Sequence, residues 1–276
     1  MKIDYLNNLE PGSKIDVSSF KSEKERLQPE KALAICQKLL KDQAAEYNDL
    51  VGDNWLNNQA VMNFFDHPDR ASDESLVRQQ EEQWARESGK DLAQWRHDKE
   101  RNPANLAEMT LTLMLNKFLP KNFLVVRASA YDDYNHGVDQ LILDRVSGNV
   151  VCGIDEVIEG SHHQGPSKKE EKIKRQMLKG GFRLKYGARF QDGSLLRDSL
   201  KAIPAFYLSL KKEELVTLVN SLESEDKNES EQVIFSRLQT SLLEQISSYE
   251  TLNLDPSLQA NIDNFKTVIN NWSEIN

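Results

Sequence analysis

Asp139 opens the apolar run Asp139-Gln140-Leu141-Ile142-Leu143-Asp144, and Asp155 and Glu156 close a second, Val150-Val151-Cys152-Gly153-Ile154. A Ser147-Gly148-Asn149 turn joins the two runs and fits a hairpin. A carboxylate in an apolar strand is costly to desolvate unless something pairs with it. On neighbouring strands, Asp139 and either Asp155 or Glu156 bring like charges together. Such a pair raises a pKa or is resolved by a divalent cation. A cation held there polarises a phosphate and activates water, the chemistry of metal-dependent phosphodiester cleavage. Strand alternation sends Asp155 and Glu156 to opposite faces, so the register decides which of them meets Asp139. The structural alternative for Asp139 is an ion pair with Arg127 or Arg145.

A strongly basic stretch follows the two acidic runs. Between Ser167 and Arg189 stand Lys168, Lys169, Lys172, Lys174, Arg175, Lys179, Arg183, Lys185 and Arg189, against Glu170 and Glu171 alone. The whole chain carries a net charge of −9, which argues against a general nucleic-acid coat. Local sign matters more than the total for a polyanion partner. Lys168, Lys169, Lys172, Arg175 and Lys179 are therefore the candidate nucleic-acid contacts, DNA or RNA, and a solvated helix face is the ordinary alternative. Asp132 and Asp133 lie between Tyr131 and Tyr134, where turn chemistry competes with a ligand role. His136, His162 and His163 read as exposed loop histidines before they read as a transition-metal site.

The elements that must position these residues follow from period and punctuation. The first hundred residues read as polar helices: one from Pro29 with Leu33, Cys36, Leu40 and Tyr47 at helical spacing, one through Trp55 to Phe65, and one capped by Asp73. Asn102-Pro103 starts a helix that Pro120 stops. Glu108 lies on its Leu111, Thr112 and Leu115 face. Phe123–Val126 reads as a buried strand, 129–137 as a polar loop, and 168–179 as a helix ended by Gly180-Gly181. Ile203–Leu210 reads as a strand, and helices follow near 211–222, 230–250 and 257–275. This divides the chain into a helical region 1–101, an α/β core 102–210 and a helical extension 211–276. Cys36 and Cys152 sit in apolar patterns and offer no disulfide framework. No run of about 18 apolar residues suits a membrane span, and the first residues lack the apolar core of a signal peptide, so a cytoplasmic location is expected.

The order helix, strand, strand, strand, helix, strand over about residues 103–210 resembles the PD-(D/E)XK nuclease superfamily, with an acid on the middle strand and another at the end of the third. The resemblance implies a restriction-endonuclease-like core, a small mixed sheet flanked by helices, that cuts DNA or RNA with magnesium. It places Asp139 at the first metal-binding position, Asp155 or Glu156 at the second, and Glu108 at the glutamate carried on the preceding helix. The motif lysine is missing: its position is Val157 if Asp155 is the acid and Ile158 if Glu156 is. Some members carry that lysine on the following helix, which makes Lys168, Lys169 and Lys172 the candidates. The superfamily also contains inactive members, so the competing expectation is a non-catalytic descendant that binds nucleic acid or acts as a protein-interaction module and uses the retained acids structurally. A third is a helical adaptor whose sheet is only a scaffold.

Overall fold

The computed structural model describes residues 28–159, 166–192, 194–224, 226–270 and 272. His162, His163 and the side chain of Lys169 lie outside the described residues.

A polar start gives way to an apolar centre. Helix α1 (Pro29–Val51) has proline at its first turn, buries Leu33, Cys36, Leu40, Ala44 and Tyr47, and ends at Gly52 in the left-handed region. Helix α4 (Pro103–Phe118) starts where the Asn102 side chain accepts from the Ala104 amide. It is buried almost all round, because α1 packs on one side and strands β1 (Phe123–Arg127) and β3 (Val150–Ile158) on another. Strand β2 (Gln140–Asp144) lies between β1 and β3, antiparallel to both. Strand β6 (Ala205–Leu210) adds in parallel to β3, giving the order β1-β2-β3-β6. A parallel neighbour needs a crossover. Helix α6 (Pro166–Leu178) and a separate hairpin, β4 (Phe182–Gln191) with β5 (Ser194–Ile203), supply it.

The result is a mixed α/β chain with a small mixed sheet. Helices α7 (Lys212–Ser221), α8 (Glu229–Tyr249) and α9 (Pro256–Asn270) follow β6 close to the expected bounds. Asn228 and Glu231 form a reciprocal cap that starts α8. The Gln245 side chain of α8 accepts from the Tyr207 amide and donates to the Tyr207 carbonyl, satisfying the open edge of β6 as a further strand would. One continuous apolar core runs from Leu33 of α1 through Leu115, Ile142 and Phe206 to Phe265 of α9. Cys36 and Cys152 are buried within it, and burial pushes the Cys36 thiol up to about 11.

Four local expectations are corrected. Residues 55–65 form no helix: Asn57 Oδ1 accepts from the Gln59 and Val61 amides, and Ala60 turns the chain at φ 54°. Val61 then bridges Arg127 beside the sheet. Helix α2 (Arg70–Glu87) has Asp69 at its N-cap, and Asp73 is buried one turn in, accepting from Tyr186 Oη at 2.7 Å and facing Lys185 Nζ at 2.7 Å. A further helix, α3 (Leu92–Glu100), is started by Asp91. The segment 129–137 is helix α5 (Ala130–His136), with Ser129 accepting from the Asp132 amide and Gly137 closing it in the left-handed region. The β4–β5 hairpin was also outside expectation. Its buried residues Phe182, Leu184, Tyr186, Ala188 and Phe190 alternate at period two, but the charges between them mask that pattern.

Candidate functional site

The acids meet at one end of the sheet. The ladder between β2 and β3 ends at the pair Gln140–Ile154, and Asp139 lies one residue beyond it. Backbone pairing changes there. The Asp139 amide donates to the Ile154 carbonyl, and Asp139 Oδ2 accepts from the Glu156 amide at 2.7 Å. The expected partners of a structural Asp139 are elsewhere, since Arg127 reaches Asn105 and Glu108 instead.

The two faces of the sheet can be assigned from contacts. Gln140 Nε2 donates to the Glu108 carbonyl, so Gln140 and its partner Ile154 face α4. Asp155, the next residue, points the other way. There Lys172 Nζ of α6 donates to Asp155 Oδ2 at 2.9 Å, with Asp155 only 3% exposed. Alternation sends Glu156 to the α4 side, where Asp139 also opens, while Asp155 carries the contact with the following helix and is the charge that acts most strongly on Asp139.

Gly137 makes room for this contact. A Cβ built there would lie 3.0 Å from Lys172 Nζ, and Gly137 sits at φ 70°, where L side chains are strained. The ammonium therefore passes over a residue whose lack of a side chain is required twice.

On the α4 side, a cavity of about 220 Å³ opens between α3, α4 and α5. Asp139, Glu108 and Asp133 line it together with Lys99, Arg127 and Tyr134. Burial, then Asp155, Glu156, Glu108 and Asp133 in that order, push the Asp139 carboxyl well above the usual carboxylate range. Asp133 is pushed up to about 6, first by burial, with Lys99 and Arg127 opposing and Glu108 and Asp155 adding to the rise. Such mutual repulsion is what a bound divalent cation relieves.

The donor set fits magnesium in a limited way. Glu108 is held by Arg127 at 2.7 Å and Asp155 by Lys172 at 2.9 Å. Among the described residues, no three His, Cys, Asp or Glu side chains form a preassembled metal cage. Magnesium does not require one: it keeps several waters and is commonly held by one or two carboxylates plus substrate phosphate. Asp139 and Asp155 offer two such carboxylates, and Asp155, like Glu108, already has a protein cation that a metal would share or displace.

The remaining candidates are spread out. Lys168 and Arg175 are exposed on α6 and Lys179 just past its end, with Arg175 engaged by Glu171 one turn away, whereas Lys172 is turned in to Asp155. Lys185 is taken by Asp69 and Asp73, and Arg189 lies 3.9 Å from Asp198. The basic run is thus partly internal wiring. Asp132 is buried and structural: it accepts from the Lys185 and Tyr186 amides and the Ser129 hydroxyl, and pairs with His136. Asp133, where a ligand role competes with turn chemistry, lines the cavity. Lys99 is outside expectation, in a region that reads only as polar helices. The Lys99–Tyr134 contact spans 35 residues of sequence, and no local pattern announces it. Among the described residues, no helix is long and apolar enough to cross a membrane. No family model, curated protein or solved structure matches the chain.

Proposed function

We propose that this chain is a metal-dependent nuclease of the PD-(D/E)XK type, hydrolysing phosphodiester bonds in DNA or RNA. The observation that carries the reading is the convergence of Asp139 and Asp155 at the end of the β2–β3 ladder, where Asp155 is the charge that acts most strongly on Asp139, with Lys172 of the following helix on Asp155. The order α4-β1-β2-β3-α6-β6 supports it, with helix α5 inserted between β1 and β2 and the β4–β5 hairpin before the last strand. Lys172 stands for the missing motif lysine, ahead of Lys168 and Lys169. Asp139 and Asp155 are the proposed magnesium ligands, and Glu108 assists from α4 through its Arg127 pair. When bound, magnesium supplies phosphate polarisation and an activated water. Asp155 holds the Lys172 ammonium at the edge of the site, where a cation offsets charge developing on a phosphate. Exposed Lys168, Lys174 and Lys179 offer sequence-independent backbone contacts.

A second reading is favoured by one observation: Glu108 and Asp155 each already have a protein cation. A nuclease-derived protein-interaction module would retain such pairs for folding alone. Cleavage of single- and double-stranded DNA and RNA with magnesium or manganese separates the two readings. The nuclease reading predicts metal-dependent cleavage that Asp139→Asn abolishes. Cleavage by neither protein, or by both equally, favours the second.

A further inference from the structure

The wall of the cavity beside Asp139 is not made by the sheet or its two core helices alone. Lys99, near the end of α3, reaches in from the N-terminal helical region. Its ammonium donates to Tyr134 Oη at 2.6 Å, and it sits 4.3 Å from the Tyr134 ring centroid and 5.6 Å from that of Trp95. Tyr134 Oη in turn donates to Glu81 Oε1 at 2.8 Å, which fixes the hydroxyl as an acceptor for Lys99. An ammonium has three donors. Among the described residues no carboxylate lies in ion-pair contact with Lys99, in contrast to the other two cations of the cavity: Arg96 is bound to Glu81 and Arg127 to Glu108. Aromatic faces hold a cation in place without neutralising it. Lys99 is thus an oriented, half-buried positive charge facing a space that Asp139 also lines.

Resting on the nuclease reading, we propose that Lys99 is the phosphate-binding cation of the site, and that the cavity between α3, α4 and α5 receives one backbone phosphate of a nucleic-acid strand. The charges set a condition on this. With Glu81 and Glu108 neutralised by arginines, Asp133, Asp139 and Glu100 remain against Lys99. A bare phosphate is repelled by that balance, and a divalent cation on Asp139 reverses it. Phosphate binding at Lys99 is therefore metal-dependent, unlike contacts made by the exposed lysines of α6. It also makes α3 part of the substrate site.

The test is equilibrium binding of a fluorescent 5′-phosphorylated single-stranded oligonucleotide to the full chain, with calcium in place of magnesium to suppress turnover. The parent is compared with Lys99→Met, Lys99→Arg and the double variant Lys174→Gln/Lys179→Gln, and thermal unfolding confirms that each is folded. The proposal expects calcium to tighten binding at least about tenfold in the parent, which corresponds to about 1.4 kcal/mol. Lys99→Met should lose that increment, Lys99→Arg should keep most of it, and the α6 double variant should keep it while binding more weakly overall. If Lys99→Met retains the full calcium-dependent increment, the proposal is overturned and the nuclease reading stands. If the parent shows no calcium-dependent binding, both are overturned.

Discussion

Asp139 commits one carboxylate oxygen to the Glu156 amide while burial and four neighbouring carboxylates oppose its charge. Its folded pKa lies above the unfolded one, so the native state holds a proton that the unfolded chain releases. Stability without metal therefore falls as pH rises from about 4 through the folded value. Asp133, raised to about 6, adds a loss of the same sign between about pH 4 and 6, with an upper bound of about 3 kcal/mol. Asp139→Asn keeps an acceptor for the Glu156 amide and removes the charge. The variant should melt higher than the parent at neutral pH without metal, and its melting temperature should decline less between pH 4 and 7. A variant that melts lower at neutral pH would contradict this account of the environment of Asp139. The acid pair itself was legible in the sequence, because carboxylates at the ends of apolar runs stand out. The choice between Asp155 and Glu156 was not, since the contacts that bear on it, Lys172 on Asp155 and the Glu156 amide on Asp139, join segments 17 residues apart.

Among the elements, α5 has the largest influence on the site. It ends three residues before Asp139, and Asp132 within it ties it to β4. Asp132→Ala leaves the Lys185 and Tyr186 amides without their acceptor, and each unsatisfied buried amide costs about 1–3 kcal/mol. We expect a loss of about 3 kcal/mol or more in chemical denaturation; a loss under about 1 kcal/mol would show that the hairpin is held by other means. Gly137→Ala combines strain at positive φ, about 1–2 kcal/mol, with a methyl 3.0 Å from Lys172 Nζ. It should lower stability by about that amount and displace the ammonium from Asp155, seen as a changed Lys172 Nζ resonance. An unchanged resonance would show that Gly137 serves the turn alone. The long helices α1, α4, α7, α8 and α9 were legible because each carries apolar residues at helical spacing or a proline or capping residue at its start. Helix α5 was not, because its seven residues are polar and its caps, Ser129 and Gly137, also read as loop chemistry. The segment 55–65 misled for the opposite reason: apolar residues at near-helical spacing flank an Asn57 turn that breaks it.

Across the whole molecule, the end of the sheet brings Asp139 and Asp155 close enough for their charges to couple, while the N-terminal helices close over the face where Asp139 and Glu108 lie. The order of core elements could be read along the chain. The cavity could not, because its walls come from segments far apart in sequence, such as Glu81, Lys99, Glu108 and Tyr134. Net charge is −9, so the protein as a whole repels a polyanion, and affinity for one rests on the local cations and on metal. Binding should weaken steeply with salt, because each neutralised phosphate releases counterions; salt-independent binding would point away from backbone contacts. The central claim is that the Asp139–Asp155 pair holds a divalent cation. Calorimetric titration of the parent and Asp139→Asn with manganese, in the presence of a short single-stranded oligonucleotide, tests it most directly. The account predicts saturable manganese binding by the parent and at least a tenfold weaker affinity in the variant. Equal binding by both proteins, or none by the parent, would contradict it.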